Sequence, residues 1–141
     1  GKFNGQQVIP EAAAAEIAFS EVASGTASKA VNQKNYLIAA KDAFAEVWAI
    51  VKQPPAPPAI DFSKNDVIAV FAGQKPTGGY GIKIEKITDT NNTRVVSIVL
   101  TEPGSNCATT ESITSPFDMV KVPASALTPV REERVITQDC P

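Results

Sequence analysis

No histidine occurs anywhere in the 141 residues. That absence excludes Ser-His-Asp and Cys-His nucleophilic mechanisms and removes the commonest zinc ligand. Lysine or carboxylate-pair chemistry stays formally open, but Asp61, Asp66, Glu102, Glu111 and Asp118 are scattered and no local motif groups them. No catalytic residue, metal site or cofactor is therefore expected. Apolar runs are also short: none approaches the ~18 residues that a membrane-spanning helix needs. The net charge is -2, with 13 basic residues spread among 15 acidic ones. Without a basic stripe, nucleic acid is not the expected partner. Arg131-Glu132-Glu133-Arg134 compensates its own charge and reads as solvated surface.

Cysteine is nearly absent too. Cys107 and Cys140 are too few for a structural zinc site and too far apart for a CxxC redox pair. They read as a disulfide formed in an oxidising compartment, closing a loop of about 34 residues worth about 3–4 kcal/mol in the chain-entropy model. The alternative is a pair of buried free thiols in a cytosolic protein. A bridged chain implies export, periplasmic, secreted or tethered as a lipoprotein, with a signal or lipid anchor upstream of Gly1 removed. Residues 1–10, polar and ending in Pro10, read as a mobile arm, and residues 11–141 as a single domain.

What is present is a soluble globular composition, 43% hydrophobic and 20% charged. Glu16–Ala23 alternates as a strand and Ser28–Lys34 is a polar connection. Phe44, Val47, Trp48 and Val51 fall at i, i+3, i+4 and i+7, so Ala40–Val51 is expected to be a helix with one core-facing stripe. Pro54-Pro55 stops it, and Gln53–Ala59 reads as a stiff spacer. Val67–Ala72 is continuously apolar, as in a central strand covered on both faces. Strands are expected at Tyr80–Ile84, Arg94–Glu102, Thr109–Ile113, Phe117–Val122 and Val130–Ile136, punctuated by Thr88–Asn92 and Glu102–Asn106. The fold class is α+β, mainly β: a curved antiparallel sheet, or a partly closed barrel or sandwich of about six to eight strands, against one amphipathic helix.

Between two of these strands lies Phe71–Ile84, FAGQKPTGGYGIKI. Paired Gly78-Gly79 permits positive φ and a tight bend that exposes backbone N–H groups. Loops held by a rigid sheet are common recognition sites, so Lys75, Pro76, Thr77, Gly78, Gly79 and Tyr80 are candidate binding residues. The competing reading is an ordinary hairpin turn, with Tyr80 pointing inward beside Ile82 and Ile84. Ser115, Pro116 and Phe117 form a second candidate loop. A docked partner would use Tyr80 or Phe117 as apolar anchors.

Several blocks, in order, resemble the C-terminal domain of the bacterial protease-complex subunit PrcB family. They are Phe44-Ala45-Glu46-Val47-Trp48, Asp61-Phe62-Ser63-Lys64 leading into Val67–Val70, and Gly73-Gln74-Lys75-Pro76-Thr77-Gly78-Gly79-Tyr80. Glu102-Pro103-Gly104, Cys107 and Thr114-Ser115-Pro116-Phe117 running into Val120–Pro123 continue the series. The resemblance covers roughly Ile17 to Ser125. It implies a small exported protein or lipoprotein that binds another protein, such as a protease, as an accessory subunit. Pro76-Thr77-Gly78-Gly79-Tyr80 is also similar to the wedge loop of chagasin-type inhibitors of papain-like peptidases, which makes peptidase inhibition the alternative function. It departs from them in having Gly78 for a second threonine, in the missing arginine before Ser115-Pro116-Phe117, and in lacking their glycine-rich third loop.

Overall fold

Strands that are apolar on both faces need two covers, and the computed structural model, which describes residues 1–3, 14–51 and 56–140, supplies them. In chain order the elements are β1 (Ala15–Ile17), β2 (Ser20–Gly25), β3 (Lys34–Ile38), α1 (Lys41–Trp48), β4 (Asn65–Phe71), β5 (Gly81–Asp89), β6 (Thr93–Pro103), β7 (Phe117–Pro123) and β8 (Thr128–Gln138). They form two four-stranded sheets, ordered β2-β7-β4-β3 and β1-β5-β6-β8. The first sheet is the middle of three layers. Its one face packs on α1, its other on the second sheet.

Alternation along β4 and β7 divides the core accordingly. Val67, Ala69, Phe71, Phe117 and Met119 join Phe44, Val47, Trp48 and Val51 beneath the helix. Ile68, Val70, Val120 and Val122 face Ile82, Ile84, Ile87, Val96 and Ile98 of the second sheet. The helical stripe is buried as its spacing requires, although the helix itself spans only Lys41–Trp48. The Pro54-Pro55 stop and the first part of the expected spacer lie outside the described residues.

The mainly β sandwich matches the sequence reading, with three local differences. The expected strand at Glu16–Ala23 is two strands in different sheets, because the chain crosses from β1 to β2 at Ala18-Phe19. Thr109–Ile113 forms no strand; it runs along the Lys75–Tyr80 loop, where Thr110 O accepts the Gly78 amide. β8 pairs with β6 in parallel, with Val95 opposite Val130, since the intervening chain detours through β7 in the other sheet.

Two buried polar groups fasten the sheets together. Asp118, only 2% exposed on β7, points between them. Its Oδ2 accepts the Ile84 amide at 2.8 Å and its Oδ1 accepts Met119 N at 2.9 Å. Ile84 sits where β5 shifts register against β6, so the carboxylate reaches an amide at an irregular point of that ladder. Arg94 on β6, 4% exposed, is bidentate to Asp89 at 2.7 and 2.8 Å and donates to Pro123 O at 2.6 Å on the opposite sheet. Of the scattered acids, Asp118 thus gains an acidic neighbour, Glu21. The Glu21 carboxyl is pushed up to about 8, first by desolvation and then by its hydrogen bond to Asp118 and that group's charge. Because Asp118 already accepts two amides, Glu21 is the partner that keeps a proton.

Two outcomes follow. Phe117→Ala removes a side chain stacked on Phe71 at 6.0 Å in the helix-side core, and urea unfolding is expected to show a loss of about 3–5 kcal/mol. For Glu21 the sign runs against alkali. Between its ordinary 4.5 and about 8 the folded chain binds the extra proton, so stability falls as pH rises through that window. Melting temperatures measured from pH 5 to 9 are expected to decline, and Glu21→Gln, which still donates to Asp118, to flatten the decline. An unchanged slope in the variant would assign the effect elsewhere.

Candidate functional site

The Lys75–Tyr80 loop is not a hairpin. β4 and β5, the strands it joins, belong to different sheets, so it crosses the end of the sandwich. Where it starts is set by the core: Phe71 is directly opposite Phe117 in the β4–β7 register. The ladder continues outward, with Ala72 N donating to Pro116 O at 2.9 Å. Beyond it Lys75 and Thr114 exchange both backbone bonds, at 2.8 and 3.0 Å. Thr114 Oγ1 then donates to Thr77 O at 2.8 Å. The two candidate loops of the sequence reading are therefore adjacent.

They are not equivalent. Ser115, Pro116 and Phe117 are buried, and their side chains belong to the interior. Ser115 Oγ lies 2.7 Å from both Ser28 Oγ and Ala30 O, tying the loop to the chain before β3. Phe117 stacks on Phe71. In this conformation neither Phe117 nor Pro116 presents an anchor to a partner, because the helix-side core has used them. Pro76 and Gly79 are exposed, and Lys75, Thr77, Gly78 and Tyr80 are half-buried. Tyr80 precedes β5 instead of joining its alternation, and the Lys75 ammonium lies over its ring at 5.7 Å.

Backbone geometry explains the glycines. Gly79 has φ +89°, and a Cβ there would sit 2.8 Å from Pro103 Cβ. Gly78 has an ordinary φ but packs so closely that a Cβ would meet Thr110 Oγ1 at 2.5 Å. The expectation that the bend exposes its N–H groups fails at one of the two glycines, since Gly78 N donates inward to Thr110 O at 3.1 Å.

Behind the loop is an open cleft of about 410 Å³. It is lined by Gly78, Gly79, Pro103, Ala108 and Thr109 and by the Cys107–Cys140 disulfide with Asp139. The bridge is formed, with Cα atoms 5.2 Å apart. Asn106 reinforces it: its Nδ2 donates to Cys140 O at 2.9 Å, while Gly104 N donates to Gln138 O at 3.0 Å. Of the neighbouring residues, Pro103 and Asn106 entered the sequence reading only as parts of a resembling block and a turn, and Thr110 and Asp139 not as site residues at all; the paired glycines ask for a close neighbour without naming it. A second cleft, of about 680 Å³ on the β5–β6–β8 side, is lined by mixed charges that partly neutralise one another through the exposed Arg134–Glu85 pair at 2.8 Å. It contains no predicted site residue.

The arrangement is a two-sheet β-sandwich that holds one glycine-bent crossover loop and a small cleft at its end. Residues 67–123, which carry β4 through β7 and the whole loop, match the family model described as PrcB C-terminal. The resemblance read from the Gly73–Tyr80 block therefore holds over that segment. No curated protein and no solved structure matches the chain. Among the described residues no helix is long and apolar enough to cross a membrane, and no group of three or more acidic or cysteine side chains is placed to hold a metal.

Gly79→Ala tests the loop geometry. The variant is expected to lose about 1–3 kcal/mol from positive-φ strain and the clash with Pro103. Amide shifts in an NMR spectrum are expected to stay within 75–80, 101–104 and 108–111, leaving β4 and β7 unmoved. Changes spread through the sheet would show that the loop is not an appendage of a settled core.

Proposed function

We propose that this chain is a non-enzymatic, exported docking module, an accessory subunit that binds a secreted or surface protein such as a protease. Binding is through the Lys75–Tyr80 loop and the cleft behind it. The observation that carries this reading is the bracing. The loop is pinned at Lys75, Thr77 and Gly78 by the 110–114 segment and backed by a disulfide, yet Pro76 and Gly79 remain on the outside. A surface held this way loses little conformational freedom on binding. A partner side chain entering the cleft meets small walls from Gly78, Gly79, Ala108 and Thr109 and the Asp139 carboxylate, while the Lys75 ammonium sits over the Tyr80 ring on the loop itself.

The PrcB match supports association with a protease complex, and the disulfide supports an oxidising compartment. The absence of histidine supports a role without catalysis. The Glu21–Asp118 pair does not argue otherwise, because Asp118 is enclosed and its oxygens are occupied by main-chain amides. Inhibition of the chagasin type is weaker here than the sequence implied, since the flanking Ser115-Pro116-Phe117 loop that would join the wedge is interior.

The test is cross-linking of the folded chain in a native envelope extract, with the captured protein identified and its affinity remeasured in purified form. Thr109→Trp, which fills the cleft, and Lys75→Glu are each expected to weaken that affinity by about tenfold or more, roughly 1.4 kcal/mol, without lowering the melting temperature. Undiminished binding by both variants would remove the loop and cleft as the docking site. Micromolar inhibition across a panel of cysteine, serine and metallo-peptidases would favour the inhibitor instead.

A further inference from the structure

The far edge of the first sheet is already occupied by a guest. β3 is the end strand of the order β2-β7-β4-β3, and the N-terminal residues lie along its free side. Lys2 bridges Tyr36 in antiparallel sense, Leu37 N donates to Gly1 O at 2.7 Å, and Phe3 N donates to Asn35 O at 3.2 Å. Phe3 turns inward and is only 5% exposed, inside the cluster that includes Ile68, Val70, Val96 and Ile98. Three residues thus add a short strand and plug the gap between the sheets with a phenyl ring. This is the geometry of strand addition, in which main-chain bonds supply affinity and a side-chain socket supplies selectivity.

The fit is incomplete at one atom. Asn35 is 1% exposed and its Nδ2 donates to Phe3 O at 3.2 Å, but its Oδ1 is buried and finds no donor among the described residues. A buried acceptor without a partner is unfavourable, so the native arm is a serviceable occupant and not the best one. The arm is also tethered. Residues 4–13 separate it from the described chain before β1, a length that reaches roughly 35 Å when extended.

We propose that the β3 edge is a strand-accepting site, filled in cis by Gly1–Phe3, for an extended segment of a partner protein. That segment carries a phenylalanine and, beside it, a hydrogen-bond donor for Asn35 Oδ1. A second copy of this chain fits less well, because its own Gly1–Phe3 leave the same oxygen unpartnered. The site shares no residue with the Lys75–Tyr80 cleft, so this inference and the docking reading fail separately.

The probe is the synthetic peptide Gly-Lys-Phe-Asn-Gly-Gln-Gln-Val, titrated into the Phe3→Ala protein and followed by amide shifts. Saturable shifts at Asn35, Tyr36 and Leu37 are expected below about 1 mM, with wild type needing about tenfold more peptide because its own arm competes. The same peptide with alanine for phenylalanine is expected to leave those signals still. Versions with serine or threonine in place of the flanking lysine or asparagine offer Asn35 Oδ1 a short hydroxyl donor, and at least one is expected to bind about tenfold more tightly than the native sequence. If Phe3→Ala does not fold, Phe3→Leu keeps the gap filled and takes the same titration. Absence of shifts along β3 in both variants overturns the proposal. So does sedimentation of the wild type as a dimer that dissociates when Phe3 is replaced, which would assign the edge to a second copy.

Discussion

Phe71 opposite Phe117 is the contact on which the rest of the molecule turns. The pair ends the β4–β7 ladder, and the two rings stack at 6.0 Å under the helix. Because side chains alternate along a strand, a slip of β4 by one residue would drive Phe71 into the inter-sheet layer and Val70 out beneath the helix. Neither layer has room for that exchange. The register is therefore fixed by volume; Ala72 with Pro116 keeps that offset, and Lys75 with Thr114 follows one residue out of step after Gly73, whose φ is 85°. A loop remote from the helix is placed by what the helix packs against.

The other end of the loop is fixed by different means. β5 starts at Gly81 in the second sheet, so the loop keeps its shape only if the two sheets cannot slide. Apolar contact between flat faces resists separation better than sliding. Directional groups supply what is missing, with Asp118 holding the Ile84 amide and Arg94 joining Asp89 on its own sheet to Pro123 O on the other. Burying these charges is costly and adds little net stability, so their contribution is to alignment. The loop spans two bodies that the core has locked to one another.

Much of this was legible in the sequence. Continuous apolarity in Val67–Ala72 announced a strand covered twice, and the spacing of Phe44, Val47, Trp48 and Val51 announced the cover. The cysteine pair was readable because so few alternatives existed for two distant thiols without histidine. What escaped depended on long-range partners. Nothing local distinguishes a crossover loop from a hairpin, since glycines bend either. The parallel pairing of β8 follows from the route of the chain through β7, not from any residue within β8. Phe117 looked like an anchor because an aromatic beside a proline turn reads the same whether it faces water or Phe71. Glu21 was overlooked as a partner for Asp118 because the two are 97 positions apart and only the β2–β7 pairing joins them.

Geometry also narrows the kind of ligand the glycine loop can take. A phosphate-cradling loop aims successive amide N–H groups outward at an anion. Here the Lys75 and Gly78 amides are turned inward to Thr114 O and Thr110 O. The loop's donors have gone into its own bracing, which leaves a ridge of Pro76 and Gly79, a ring under an ammonium, and a small-walled cleft beside a disulfide. Such a surface discriminates by shape and apolar contact, with charge at its margin only. That shape holds only while the 107–114 segment stays in place. The disulfide and Asn106 fasten that segment to the end of β8, so the bridge bears on the shape of the loop and cleft directly as well as on the stability of the fold.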